Sequence, residues 1–184
     1  MSILRPRLQS VFESTLTVVE NGSGQLKGVI ADIAQGTVPG NVFTEPRTIL
    51  RTTLPTALRA GMVLQTRGGT IYIVGENGPE EYGDWTVFQS WRLFPATRRV
   101  LWRRSTTTTD VLTQLQESGP PEDMGYIHVL IEPIDRTTLD RKTHVNFEER
   151  RFVSGSPVKA GDLLEDRLVS RVDVEQGVYV GVLV

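Results

Sequence analysis

The residues able to do chemistry are few. Cysteine is absent from the 184-residue chain, and His128 and His144 are its only imidazoles. That excludes a thiol nucleophile, a thiolate zinc site and a disulfide framework. It leaves little for a histidine-based metal centre or a serine triad. No phosphate-binding loop and no dinucleotide fingerprint is present. Ser154-Gly155-Ser156 has no usable base beside it and reads as a loop. The acidic pairs Glu80/Glu81, Glu122/Asp123 and Glu148/Glu149 are adjacent in sequence, so on strands their side chains face opposite sides and do not form a shared site. His128 sits in an apolar run and reads as a hydrogen-bonded core or interface residue. His144 has Asp140 four residues before it, and two ligands make no metal site. Asp135, Asp140, Glu148 and Glu149 have no calcium-loop spacing. No catalytic residue, metal or cofactor is expected.

One cluster remains. Trp85, Phe88, Trp91, Phe94 and Trp102 lie within 18 residues, interleaved with Arg92, Arg98, Arg99, Arg103 and Arg104, and they include all three tryptophans. Three readings compete. Alternating aromatics on strands pack cores. Tryptophan and arginine are also enriched at protein interfaces. Aromatics with arginines can stack bases and neutralise phosphates, as in single-strand binders. As a candidate interface the set is Trp85, Trp91, Arg92, Arg98, Arg99, Trp102, Arg103 and Arg104.

The elements that must position this segment are mostly strands. Alternating, branched runs separated by turn residues predict about ten short strands, an all-β fold of one or two small barrels or sandwiches. Two short helices are expected, at 6–13 after Pro6 and at 110–118 between Asp110 and Gly119-Pro120-Pro121. Glu76-Asn77-Gly78-Pro79 reads as a turn, and residues 34–46 as a long loop. No apolar run reaches ten residues, so neither a membrane-spanning helix nor a signal-peptide core is expected.

Charge suggests a division. Residues 1–104 carry 12 basic and 8 acidic residues, and residues 105–184 carry 8 and 14. Ser105 to Thr109 is a polar run between them. The expected domains are 1–104, a helix plus a barrel-like unit, and 105–184, an acidic β-rich unit. Opposite charge on two parts of one chain suits packing between copies.

The two parts share an echo. Leu58-Arg-Ala-Gly-Met-Val-Leu64 matches Val158-Lys-Ala-Gly-Asp-Leu-Leu164, each after a proline (Pro55, Pro157). Gly61 and Gly161 are expected in turns or bulges that need the left-handed region. Gly69-Thr70-Ile71-Tyr72-Ile73-Val74 then corresponds to Gly177-Val178-Tyr179-Val180. These two runs, with the helix and hairpin from Leu8 to Asp32, resemble the neck proteins of tailed bacteriophages, the head-closure, collar and head–tail connector proteins. The resemblance covers 1–104, with a looser echo over 126–184.

That resemblance implies a structural virion protein assembled in the host cytoplasm. It would form a cyclic ring of its own copies between a portal or adaptor protein and the tail proteins. DNA would pass through the lumen without sequence specificity, and no membrane would be involved. The alternative is a nucleic-acid-binding β-barrel using residues 85–104.

Overall fold

The computed structural model describes residues 17–21, 24–32, 48–52, 57–82, 85–109, 116–134 and 149–184. The chain divides into two units, Met1–Pro95 and Ala96–Val184. Among the described residues each is a six-stranded antiparallel barrel and neither contains a helix.

The first unit holds β1 (Thr17–Asn21), β2 (Gly24–Asp32), β3 (Thr48–Thr52), β4 (Val63–Thr66), β5 (Ile71–Tyr82) and β6 (Trp85–Pro95). They close in the order β1-β2-β3-β6-β5-β4. The second holds β7 (Arg98–Thr109), β8 (Gln116–Pro133), β9 (Arg150–Ser154), β10 (Leu163–Leu164), β11 (Arg167–Glu175) and β12 (Val178–Leu183). They close as β7-β8-β9-β12-β11-β10, which is the same path. A short pairing of Leu163 and Leu164 with Arg103 and Trp102 completes that ring. Closure removes the unpaired edges that a flat sheet would expose.

The registers superpose the two barrels residue by residue. Leu50 faces Trp91 across β3–β6, and Phe152 faces Gly181 across β9–β12. Ile30 faces Leu50, and Ile131 faces Phe152. Val74 faces Leu93, and Val169 faces Leu183. Alternation then sends one residue set inward from each strand. The first core is built on Leu50, Leu58, Leu64, Val74, Trp91 and Leu93. The second is built on Val100, Trp102, Val129, Phe152, Val169 and Leu183, with Val158 and Leu164. Each buried side chain of this size contributes about 1.5–3 kcal/mol.

The connection from third to fourth strand is built alike in both. The Gly61 N–H donates to Val74 O at 2.7 Å, and the Gly161 N–H to Val169 O at 2.8 Å. Met62 N–H reaches Arg59 O, and Asp162 N–H reaches Lys159 O. Gly61 has φ +84° and Gly161 φ +91°, the region where a side chain is strained. Gly69 and Gly177, also at positive φ, sit in the β4–β5 and β11–β12 turns.

Several expectations need correction. The Gly177–Val180 run belongs to β12, whose counterpart is β6, so its match to the β5 run 69–74 fails topologically. Gly69 and Gly177 therefore occupy different turns. Glu76 to Pro79 is no turn; it forms a bulge inside β5, with the register slipping between Glu76 and Gly78. A bulge uses the same turn-prone residues without reversing the chain. Ser105 to Thr109 is no linker but the end of β7, suited to it by threonine's strand preference. Residues 116–118, expected to end a helix, pair in β8 with Thr107 to Thr109. Residues 110–115 and the expected helix at 6–13 lie outside the described residues, as does loop 34–46.

The domain boundary moves from 104/105 to Pro95/Ala96, which changes the charge reading. Up to Pro95 there are 8 basic and 8 acidic residues; after it, 12 and 14. The contrast between the parts disappears, because Arg98, Arg99, Arg103 and Arg104 belong to the second barrel.

Candidate functional site

The Trp/Arg segment is divided by the fold between β6 of one barrel and β7 of the other. Its tryptophans are not a common surface. Trp91 is 7% exposed and its indole N–H donates to Thr52 Oγ1 at 3.2 Å inside the first barrel. Trp102 is 6% exposed and its N–H donates to Asp162 Oδ2 at 2.8 Å inside the second. Phe94 is buried as well, while Phe88 is half-buried. The strand period explains this: Trp91 and Leu93 share the inward face of β6, and Val100 and Trp102 that of β7. Trp85 lies at the β5–β6 tip, where it pairs with Tyr82.

Arg92, Arg99 and Arg103 alternate with the inward residues of their strands, Arg98 pairs with Val129 at the start of β7, and several of the arginines are engaged within their own barrel. Arg92 Nε donates to Asn77 Oδ1 at 3.0 Å, and Asn77 Nδ2 donates to Ser90 Oγ at 2.7 Å. Ser90 Oγ in turn donates to Gly78 O at 3.1 Å, so this chain ties the β5 bulge to β6. Arg103 pairs with Asp166 at 2.6 Å and also donates to Glu165 O. Arg104 stacks 4.8 Å from the Trp102 ring centroid, donates to Pro157 O and pairs with Asp162. Arg98 and Arg99 are exposed, and the Arg99 guanidinium lies 5.1 Å from the Tyr126 ring centroid.

Asp162 is a buried carboxylate with several partners. It is 3% exposed and accepts from Trp102 Nε1, from the Lys159 N–H at 3.0 Å and from Arg104. These donors hold the carboxylate as a fold element, fixing the β9–β10 connection to β7. The equivalent position in the first barrel is Met62, which packs on the apolar core. Sequence reading overlooked Asp162 because its side-chain partners, Trp102 and Arg104, are 60 and 58 residues away.

Arg151 is the other buried charge among the described residues. Burial lowers its pKa from the usual arginine value, while Glu132 and Glu175 act in the opposite direction. Glu132 faces it across β8–β9 at 4.0 Å. His128 is half-buried opposite Arg99 on the outer face of β7–β8. Glu122 and Asp123 face Arg104 and Arg103 in the β7–β8 register. His144, Asp135, Asp140 and Glu148 lie outside the described residues. Among the described residues no group of three or more His, Cys, Asp or Glu is gathered to hold a metal ion.

What the fold defines is a tandem of two like barrels, each with one long hairpin. β5 and β6 pair out to Tyr82 and Trp85, whereas described pairing of β5 with β4 ends at Ile73 and of β6 with β3 at Gln89. β7 and β8 pair out to Thr109 and Gln116, whereas described pairing of β7 with β10 ends at Arg103. The hairpins arise from different strand pairs of the shared path. No family model, curated protein or solved structure matches the chain.

Proposed function

We propose that the protein is a structural assembly module that builds a ring from its own copies, and that it serves in the neck of a tailed bacteriophage, joining the portal side to the tail around the DNA channel. The observation that carries the assembly reading is the tandem of like barrels bearing one long hairpin each. Two-stranded ribbons are marginal alone in water and gain stability by packing. Hairpins whose described pairing runs past that of the strands beside them therefore suit contacts with neighbours. The buried polar side chains also fit a scaffold. Asp162, Thr52 and Ser90 are spent on bonds that hold strands and connections together. The neck assignment rests on the sequence resemblance and on nothing further.

The nucleic-acid alternative is weaker on physical grounds. Trp91 and Trp102 are inside barrels and cannot stack on bases, and Arg103 and Arg104 already face acidic partners.

The test is mass photometry across a concentration series, with negative-stain imaging of the free protein and of particles containing it. Closed rings in either sample are expected. A chain that stays monomeric, is absent from particles, and binds single-stranded DNA with steep salt dependence would replace this reading with the alternative.

A further inference from the structure

The two barrels carry a matching apolar triad on their outer walls. In the first, Val63 of β4 faces Ile73 of β5, and Ile73 faces Phe94 of β6. In the second, Leu163 of β10 faces Leu168 of β11, and Leu168 exchanges backbone hydrogen bonds with Val184, just past β12. Shared hydrogen bonds fix the correspondence. The Val74 N–H donates to Met62 O at 2.8 Å, and the Val169 N–H to Asp162 O at 2.9 Å. Val63 follows Met62 as Leu163 follows Asp162, and Ile73 precedes Val74 as Leu168 precedes Val169. Phe94 follows Leu93 as Val184 follows Leu183, the residues that face Val74 and Val169. Alternation turns all six outward, because Leu64, Val74 and Leu93 fill one core and Leu164, Val169 and Leu183 the other.

The chemistry of the two triads is alike and their burial is not. Ile73 is 0% exposed and Phe94 5%, although both face away from the core of their own barrel. The chain therefore covers the triad of its first barrel. Leu168 is 45% exposed and Val184 41%. Leu163 is half-buried, as is Val182, two residues before Val184 on the same face of β12. An antiparallel wall that only faces water alternates to polar side chains. These apolar ones adjoin across β10, β11 and β12, which makes a patch rather than scattered single residues. Repeat proteins show the same economy: the face that a neighbour covers is apolar in every repeat, and a terminal repeat stays soluble alone only if that face is made polar. Two like barrels present this wall twice, and the chain covers it once. We propose that the Leu163–Leu168–Val184 wall is an interface with a second copy of this chain, joined head to tail so that each copy covers the open triad of the one before. The occupant is a second copy because the chain already supplies a cover for the matching triad of its first barrel. That is a heterologous contact, which closes into a ring when the rotation per copy divides the circle. This surface rests on the self-assembly reading above and names where copies meet.

The absence of native cysteine makes the test clean. In full-length Leu168→Cys, a soluble maleimide is expected to label the thiol in the dilute chain and to lose access to it as the chain assembles. Labelling as fast in the oligomer as in the dilute chain overturns the surface and leaves the assembly reading standing, whereas a chain monomeric at every concentration and absent from particles overturns both. A disulfide joining two Leu168→Cys copies signals a two-fold contact and overturns the head-to-tail pairing. Benzoylphenylalanine at position 168, in assemblies mixed from isotopically light and heavy chains, identifies the occupant. Light–heavy crosslinks are expected; crosslinks confined to one chain, or made to a different protein of the particle, overturn the proposal. Leu168→Arg is expected to weaken self-association roughly tenfold or more in sedimentation experiments, with Leu168→Met matching the unchanged chain and all three sharing one thermal midpoint when dilute. Undiminished association of Leu168→Arg refutes the surface.

Discussion

Replacing Asp162 tests whether a polar latch holds the second barrel. Asp162→Ala removes the acceptor for the Trp102 indole N–H, which sits 2.8 Å away in a residue 6% exposed. Leaving that donor buried and unpaired costs about 1–3 kcal/mol. The Lys159 N–H loses its acceptor too, though Lys159 is exposed and water can substitute. Arg104 keeps its bond to Pro157 O and its side chain is 28% exposed, so its ion pair adds about 1 kcal/mol at most. The expected loss is about 3 kcal/mol. Trp102→Phe removes the same hydrogen bond from the other side, along with part of a packed ring, and is expected to cost about 2–4 kcal/mol. Because one bond is counted in both, the double variant is expected to fall short of the sum by about 1–2 kcal/mol. Urea denaturation with peptide-resolved hydrogen exchange reads each barrel separately, with Trp91 and its neighbours as the undisturbed control. Strictly additive effects, or equal loss in the first barrel, would refute the latch.

Other perturbations separate strong from weak contacts. Thr52→Val removes the acceptor of the Trp91 N–H and is expected to destabilise the first barrel by about 1–3 kcal/mol, measured by the same exchange experiment. Arg103→Ala is expected to change stability by less than about 1 kcal/mol in urea titrations despite its 2.6 Å ion pair, because Asp166 is 93% exposed and water replaces the contact. Gly161→Ala meets no atom within 4 Å, so only the backbone at φ +91° resists it, and a loss of about 1–2 kcal/mol is expected, with the same backbone cost at Gly61, whose φ is +84°. Thermal midpoints of both variants check that equivalence.

Local patterning made the strands legible, and the glycine-centred connection was visible as a seven-residue echo. Closure and strand path were not, because they depend on which strands meet at long range. The echo misled beyond Leu64 for a physical reason. The β4–β5 turn runs through Thr66 to Thr70, while β10 and β11 are joined through Glu165 and Asp166 alone, so matching strands drift out of step in sequence. A Tyr-containing strand one hairpin later then looked like the partner. The Trp/Arg cluster was conspicuous by composition, but its position across a barrel boundary could not be seen, and neither could the inward face taken by Trp91 and Trp102. The Ser105–Thr109 run looked like a linker because polarity was weighed above threonine's preference for strands.

The superposed registers show how two copies of one barrel come to hold different cores. At the facing pair of third and sixth strands, the first barrel places Leu50 against Trp91, and the second places Phe152 against Gly181. A large residue on one strand is matched by a smaller one opposite, and the larger moves from the sixth strand to the third. Side-chain exchange alone would allow the swap to be reversed. The backbone forbids it: a Cβ on Gly181 would lie 2.5 Å from Phe152 Cε1 and would also overlap the Arg171 carbonyl oxygen. That carbonyl lies beside the irregularity in β11, where the register slips between Val169 and Arg171. Gly181→Ala is therefore expected to destabilise the second barrel by about 3 kcal/mol, at the upper end for overpacking. Shrinking the ring with Phe152→Leu removes one clash and leaves the carbonyl in place. The added cost of Gly181→Ala is expected to persist at more than half its size in the Phe152→Leu background, measured as the difference between urea-derived stabilities. Full recovery there would show that the ring alone excludes a side chain and that the β11 backbone had not adapted to glycine.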